Sequence, residues 1–178
     1  MRSFTFPAAL LTIATAGCAP ESPTATPPGA PALARAASQA RAARPISGHC
    51  DLTVSSLPSS PPLIRQTDTG ACQLTHLGRT TYEGVLELNL ITGTQRGERT
   101  LTAANGDILR VVTVGTSTPS GPGLVSFVAT LTFVGGTGRF ANATGQARGE
   151  GTANLITRTT SLTLDGSISY DASDRSGR

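Results

Sequence analysis

The sequence predicts an all-β protein whose main domain is a closed antiparallel barrel of about eight strands. Three observations support this fold class. Thr, Val, Gly and Ser dominate the chain after about Gly48, and these residue types are typical of strands and turns. Apolar and polar residues alternate with period 2 in several segments. Short glycine-containing turns separate those segments.

The alternation is clearest in the segment 124–134. Phe127, Ala129, Leu131 and Phe133 share one face of this strand, and mostly polar residues share the other. The same reasoning predicts loops rich in Pro, Ser and Gly at 55–70 and 117–123. In chain order, the predicted strands are 49–54, 71–77, 80–91, 97–104, 107–115, 124–134, 140–150 and 155–170.

The predicted sheet closes on itself because the strands are joined by short connections. Asn105-Gly106 favours a tight hairpin, since both residues tolerate positive φ. Closing the sheet removes exposed edges, and a barrel of about eight strands has an interior that side chains nearly fill or that holds one small ligand. The chain has no Trp, and the faces opposite the Leu and Phe rows are polar. These features disfavour an outer-membrane barrel, which needs an outward apolar band and aromatic girdles.

Residues 1–18 have the pattern of an export signal. Arg2 gives a short positive start, and an apolar run follows that is too short to cross a membrane. The run ends Thr15-Ala16-Gly17-Cys18, which resembles the bacterial lipobox, with Cys18 as the lipidated residue. We therefore expect an exported protein anchored by lipid in the bacterial cell envelope. The alternative is an ordinary secretory signal with an incidental cysteine.

Four segments follow from this organisation: a signal peptide at 1–18, a linker at 19–45, the barrel at 46–170 and a polar tail at 171–178. The linker contains six prolines with Ala, Thr and Ser between them. Such a composition buries too little apolar surface to offset the entropy of ordering it. It is suited to holding a domain away from a membrane.

The two remaining cysteines, Cys50 and Cys72, form an even pair in a chain expected in an oxidising compartment. A disulfide between them is the favoured prediction, and it would hold the 55–70 segment against the barrel. A metal site made by both cysteines with His49 and His76 is the rival interpretation. Their spacing matches no common zinc pattern, so no metal is expected.

The distribution of charge disfavours a nucleic-acid-binding protein. All 14 basic residues are Arg, and the formal net charge is +3. From Ile46 onward, however, ten Arg balance ten Asp and Glu, and aromatic residues make up 4% of the chain. A nucleic-acid surface needs clustered cations, usually with aromatic side chains that stack on bases. No cofactor motif is present either, so no cofactor is expected.

The segment from Gly135 to Gly145 predicts a sharp bend between two strands. Gly135, Gly136 and Gly138 permit positive φ or close approach of the backbone. Phe140 then turns into the core as a plug beside the bend, and Gly145 thins the next strand where the wall curves.

The order Gly135-Gly136-Thr137-Gly138-Arg139-Phe140, followed by Ala143 and Gly145, resembles a segment of the allene oxide cyclase and dirigent barrels. The Leu77-Gly78-Arg79 turn and Asn105-Gly106-Asp107 occur in a similar order. The resemblance covers roughly residues 46–170 and is closest to the bacterial exported branch of that superfamily. It implies a closed barrel with an apolar cavity. In allene oxide cyclases a carboxylate assists cyclisation of a fatty acid epoxide, and dirigent proteins steer the coupling of phenolic radicals.

No motif allows the family's catalytic residues to be carried over to this chain. Glu83 is the candidate acid, because it is next to an aromatic residue near the start of a long strand, and burial would raise its pKa. His76, Arg79 and Tyr82 are candidate binding residues that could hold an anion at a barrel mouth; the alternative is a polar turn.

Two functional hypotheses remain open. The first is an anchored barrel that binds a small apolar ligand or an envelope partner without catalysis, and it predicts a dry cavity without a buried acid. The second is a cyclase or isomerase of the allene oxide cyclase or dirigent type, and it predicts an ionisable side chain inside the cavity.

Overall fold

The computed structural model describes residues 42–171, which form one closed barrel of eight antiparallel strands in the order β1 to β8. Each strand pairs with the next, and β8 pairs with β1. The prediction of an all-β closed barrel is confirmed. The strands are β1 Arg44–Leu57, β2 Leu63–Leu74, β3 Gly78–Asn89, β4 Thr94–Ala103, β5 Ile108–Gly121, β6 Leu124–Gly136, β7 Thr144–Asn154 and β8 Thr159–Ser169.

The signal segment, Cys18 and the linker up to residue 41 lie outside the described residues, as does the tail from residue 172. The last predicted linker residues, Arg44 and Pro45, belong to β1. The core residues of the described part of the chain lie between Ile46 and Tyr170. The described segment is therefore a closed barrel with its own hydrophobic core, as expected of a domain.

The strands at the β1–β2 and β5–β6 hairpins are longer than predicted. The predicted loop at 55–70 is wrong: β1 runs to Leu57, and β2 begins at Leu63. The predicted loop at 117–123 is also wrong, because β5 continues to Gly121. These stretches are polar and contain Pro, so their composition favours loops. Pairing with long neighbouring strands around the barrel outweighs that local preference.

Two strands start four residues later than predicted. Residues 138–140 form a single turn of 3₁₀ helix and β7 begins at Thr144, whereas β8 begins at Thr159 after a turn at 155–158. The bend before β7 is thus longer, and β7 begins later, than the alternation alone predicts.

One end of the barrel, here called the closed end, carries the connections 75–77, 104–107 and 137–143 together with both ends of the described chain. Phe140 is fully buried at this end and packs edge-on against Tyr170, with 5.2 Å between ring centroids. Gly135 and Gly138 adopt φ of 88° and 54°, and Gly145 adopts 131°. A Cβ on Gly136 would collide with the carbonyl of Ile108. The motif therefore folds the 3₁₀ turn over the end of the barrel and inserts Phe140.

The other end, here called the open end, carries the turns 58–62, 90–93, 122–123 and 155–158.

Cys50 and Cys72 lie directly opposite each other on β1 and β2, with both side chains buried. They form the predicted disulfide. It joins neighbouring strands of the wall and does not tether a long loop.

Candidate ligand-binding cavity

A cavity of about 140 Å³ lies inside the barrel near the open end. Its walls are mostly aliphatic, with Tyr82 and Phe127 as aromatic members, and a small polar group lies in one wall. Leu90 and Leu155, which are partly exposed at the rim, also line it. The lining residues are Leu52, Ile64, Gln66, Asp68, Tyr82, Leu86, Leu88, Leu90, Gln95, Arg99, Thr113, Ser117, Val125, Phe127, Ala129, Leu131, Ala153, Leu155, Thr160 and Leu162.

The polar group of the cavity is centred on Arg99. Its Nη2 lies 3.1 Å from Oδ2 of Asp68, and its Nε donates to the Tyr82 hydroxyl oxygen at 2.6 Å. The remaining guanidinium nitrogen donates to the backbone carbonyls of Val85 and Glu98. The side chains of Arg99 and Asp68 are only 3% and 9% exposed. A buried charge of this kind is stable only when its partners satisfy it, as they do here.

The register of three strands brings this group together. Asp68 on β2 lies opposite Gly84 on β3, which lies opposite Arg99 on β4. A Cβ on Gly84 would collide with the Arg99 side chain. Because Gly84 has no side chain, the Arg99 guanidinium reaches across β3 to the carboxylate on β2.

Burial changes the protonation behaviour of two members of the group. It raises the pKa of Asp68 above its usual range, although the Arg99 charge and a hydrogen bond from Gln66 oppose the rise. It also raises the pKa of Tyr82 to about 12. The Tyr82 hydroxyl therefore stays protonated near neutral pH. Because its oxygen accepts from Arg99, its proton is available to an acceptor in the cavity.

Thr113 on β5 contributes an unusual polar atom to the cavity wall. The residue is 6% exposed, and its Oγ1 has no hydrogen-bond partner among the described residues. A buried hydroxyl without a partner costs stability. Because Thr113 is a residue of the cavity wall, a ligand group that reaches this hydroxyl would supply the partner that it lacks.

The structure separates the site residues that the sequence suggested. Tyr82 faces the cavity, whereas Glu83 is its outward-facing neighbour and is exposed, so Glu83 is not the buried acid. Arg79 is exposed on the outer face of β3, and His76 is exposed in the turn at the closed end. His76, Arg79 and Tyr82 therefore do not converge on one mouth of the barrel.

Sequence reasoning missed Asp68 and Arg99. Asp68 fell in a segment interpreted as a loop, and Arg99 was considered only as part of the net charge. The alternation of period 2 contained a usable signal. Asp68 lies an even number of residues from Cys72 and Leu74, so it shares their face of β2, and Arg99 likewise shares a face of β4 with Leu101. Extending that alternation would have placed both charges inside the barrel.

The described residues contain no group of three or more His, Cys, Asp or Glu side chains arranged to hold a metal ion. The disulfide occupies both thiols that a metal site would have used. Within 42–171, no helix has the length and apolar character needed to cross a membrane.

Comparison with known proteins gives a structural match but no sequence match. No family model and no curated protein matches the sequence. The solved structure of a pterocarpan synthase dirigent protein matches with a TM-score of 0.53 at 13% identity, over 89% of this chain and 100% of that chain. Identity this low is informative about the fold alone. The closed eight-stranded barrel of this chain is thus similar in fold to that dirigent protein.

Proposed function

We propose that this barrel binds a small, mainly apolar molecule bearing one polar group, and that it does so without catalysis. The expectation of a cavity without a buried acid is wrong, because Asp68 lies in the cavity wall. The proposal keeps its non-catalytic form because Arg99 already holds that carboxylate in an ion pair. The observation that carries the proposal is the cavity at the open end, whose apolar wall includes Thr113, a residue with a buried and unpartnered hydroxyl. Ligand pockets are generally apolar with a few placed polar groups that set the orientation of the ligand.

The volume of the cavity limits what it can hold. A dry protein cavity of about 150 Å³ accommodates one benzene molecule, and the cavity here measures about 140 Å³. We therefore expect one ring, or a short branched chain, inside the barrel. Any larger part of the ligand would extend past Leu90 and Leu155 at the rim.

The polar atoms of the wall indicate the chemistry of the ligand. The hydroxyls of Tyr82 and Thr113 can each donate a hydrogen bond, and the Asp68 carboxylate is already paired with Arg99. The cavity therefore favours a ligand with a hydroxyl or carbonyl oxygen over a cationic one.

Two probes of nearly equal size test this proposal. Calorimetry on the 42–171 barrel should show p-cresol binding at least about tenfold more tightly than toluene, because buried polar groups discriminate strongly against a ligand that cannot bond them. Thr113→Val should remove this preference. Thr80→Val is the matched control, since Thr80 Oγ1 is also buried without a partner but does not line the cavity. Failure of both probes to bind, or a preference that survives in Thr113→Val, would overturn the proposal.

A second candidate function is a cyclase or coupling activity of the allene oxide cyclase or dirigent type. Asp68 supports it, because an ionisable carboxyl group with a raised pKa lies inside the cavity. The test is oxidative coupling of a substituted phenol by a one-electron oxidant, analysed by chiral chromatography. An activity of this type requires an enantiomeric excess with the wild-type barrel that Asp68→Asn loses. A racemic product would exclude phenol coupling.

We also propose that the protein is exported and anchored through lipid on Cys18. The buried disulfide supports an oxidising compartment, and the lipobox pattern supports the anchor. Cys18→Ser in the full chain should move the protein from the membrane fraction to the soluble fraction. Unchanged fractionation would contradict lipidation.

A further inference from the structure

Two turns at the open end share five of their six residues. Residues 89–94 read Asn-Leu-Ile-Thr-Gly-Thr, and residues 154–159 read Asn-Leu-Ile-Thr-Arg-Thr. The first joins β3 to β4, and the second joins β7 to β8. In a barrel of eight strands in sequential order, these hairpins lie on opposite sides of the mouth.

The two turns also share one geometry. Asn89 Oδ1 accepts hydrogen bonds from the backbone N–H groups of Ile91 and Thr92, at 2.9 and 3.1 Å. Asn154 Oδ1 accepts in the same way from Ile156 and Thr157, at 3.0 Å each. The two threonines of each turn are hydrogen-bonded at 2.7 Å. The fifth residue of each turn adopts positive φ, 69° at Gly93 and 57° at Arg158.

This geometry holds a Leu-Ile pair outward at each tip. Leu90 and Ile91 are 55% and 81% exposed, and Leu155 and Ile156 are 57% and 77% exposed. Four large aliphatic side chains are therefore presented to solvent by hydrogen-bonded turns on both sides of the cavity mouth. Exposed aliphatic side chains gathered around one opening indicate an interaction surface.

The open end is almost free of charge. Within the segments 52–64, 88–95, 115–127 and 152–160, Arg158 is the single charged residue. Its side chain is exposed and makes no ion pair with another described residue. The turns themselves thus carry one cation and no carboxylate, and the nearest ion pairs on the outer wall, Arg65–Glu87 and Arg96–Glu87, begin just beyond these segments.

We propose that the open end docks on the surface of a lipid bilayer that contains anionic lipids. The Leu-Ile pairs enter the boundary between headgroups and acyl chains, and Arg158 lies among the headgroup phosphates. Backbone donors at the tips are already bonded to Asn89 and Asn154, so they lose little when water is removed. Docked in this way, the cavity mouth opens onto the acyl layer, and an apolar ligand reaches it without crossing water.

A lipid surface fits these features better than a protein partner does. The apolar contacts are two Leu-Ile pairs on opposite sides of an opening, whereas a helix or strand is bound along one continuous groove or edge. Arg158, which makes no ion pair with another described residue, matches an anionic surface. The chain before the barrel does not dictate the orientation, because the 25 residues from Ala19 to Ala43 can extend about 85 Å at most.

Vesicle co-sedimentation of the 42–171 barrel tests the proposal. We expect binding to vesicles of phosphatidylcholine with about one-third phosphatidylglycerol, and at least a tenfold loss of the partition coefficient in Ile91→Ser/Ile156→Ser. The matched control is Val114→Ser/Val134→Ser, which removes two exposed aliphatic side chains from the outer wall and should stay within twofold of wild type. Near-ultraviolet circular dichroism checks that both variants are folded.

A third variant isolates the charge. Arg158→Gly converts the second turn into the sequence of the first, and glycine accepts the positive φ. It should lower binding to the anionic vesicles about fivefold and leave binding to pure phosphatidylcholine unchanged.

Three outcomes would overturn the proposal. The first is that wild type binds neither vesicle composition, and the second is that Val114→Ser/Val134→Ser loses as much binding as Ile91→Ser/Ile156→Ser. The third is a concentration-dependent dimer in analytical ultracentrifugation that Ile91→Ser/Ile156→Ser abolishes, without vesicle binding, because the rim would then meet a second copy of the chain.

Discussion

The two ends of the barrel are built from the same eight strands but from opposite kinds of residues. The closed end is packed around Phe140 and carries charged side chains such as Arg44, Asp107 and Arg139. The open end leaves a cavity and exposes aliphatic side chains, and Arg158 is the single charged residue of the segments that form its turns. Charged groups are costly to remove from water, so the closed end is suited to remain solvated. Covering the open end with a binding partner or a membrane removes few charged groups from water and therefore costs little free energy.

This comparison assigns stability to the closed end and binding to the open end. Arg139 lies over the rings of Phe140 and Tyr170, at 4.7 and 5.9 Å from their centroids, and Arg44 lies 5.0 Å from the Tyr170 ring. These contacts cover the closed end with cation–aromatic pairs. At the open end, the largest polar group, around Arg99, lies below the rim and inside the barrel. The five predictions below test this division, from the largest expected effect to the smallest.

Phe140→Ala should lower the free energy of unfolding by about 4–5 kcal/mol, because it empties a fully buried aromatic site. Phe127→Ala is the matched change at the open end. Phe127 is half-buried beside an existing cavity, so its loss should cost about 1–2 kcal/mol. Urea unfolding measures both values. Equal losses would show that the two ends contribute alike to stability.

Arg99→Met should cost roughly 3–4 kcal/mol, because it leaves the buried Asp68 carboxylate without its partner. Adding Asp68→Leu should recover most of that loss, since the pair is then replaced by apolar groups of similar size. Urea unfolding of the single and double variants provides the comparison. A double variant no more stable than Arg99→Met would mean that the ion pair does more than satisfy its own charges.

Reduction of the Cys50–Cys72 disulfide should lower the free energy of unfolding by about 3 kcal/mol, as the chain-entropy estimate gives for a sequence separation of 22. The measurement is urea unfolding with and without reductant, with Cys50→Ala/Cys72→Ala as the variant that should not respond. An unchanged midpoint on reduction of the wild-type protein would contradict this contribution.

The stability of the barrel should depend on pH through Tyr82. The unfolded tyrosine ionises near pH 10, whereas the pKa of the folded one is about 12. Between these values the unfolded state has lost a proton that the folded state retains, so the free energy of unfolding falls as pH rises, by roughly 2 kcal/mol. Tyr82→Phe should flatten this dependence between pH 10 and 12. A slope that persists in the variant would place its origin elsewhere.

Thr113→Val should raise the free energy of unfolding by about 1 kcal/mol, because it removes a buried hydroxyl that has no partner. Thr80→Val, which changes the core and not the cavity, should give a similar gain. Thermal unfolding without ligand measures both variants. A loss of stability in Thr113→Val would indicate that its hydroxyl is satisfied in solution, for example by an ordered water molecule.

The sequence was sufficient to predict the barrel class, the Cys50–Cys72 disulfide and the burial of Phe140 as a plug. Each depends on local or pairwise rules: alternation along a strand, an even pair of cysteines, and glycines that permit a bend. The full lengths of β1, β2 and β5 were not predictable in this way, because polar residues in 55–70 and 117–123 favour loops when considered alone.

The candidate site depended on the tertiary structure. Asp68 and Arg99 are 31 positions apart in the sequence, and they meet because Gly84 lies in register between them. Register is set by the pairing of all eight strands, and a shift of one residue would turn each of these side chains outward. The sequence by itself therefore determined that the wall is an antiparallel β-sheet and that apolar and polar residues alternate along its strands. Only closure of the barrel decided which charges face the cavity and which end stays open.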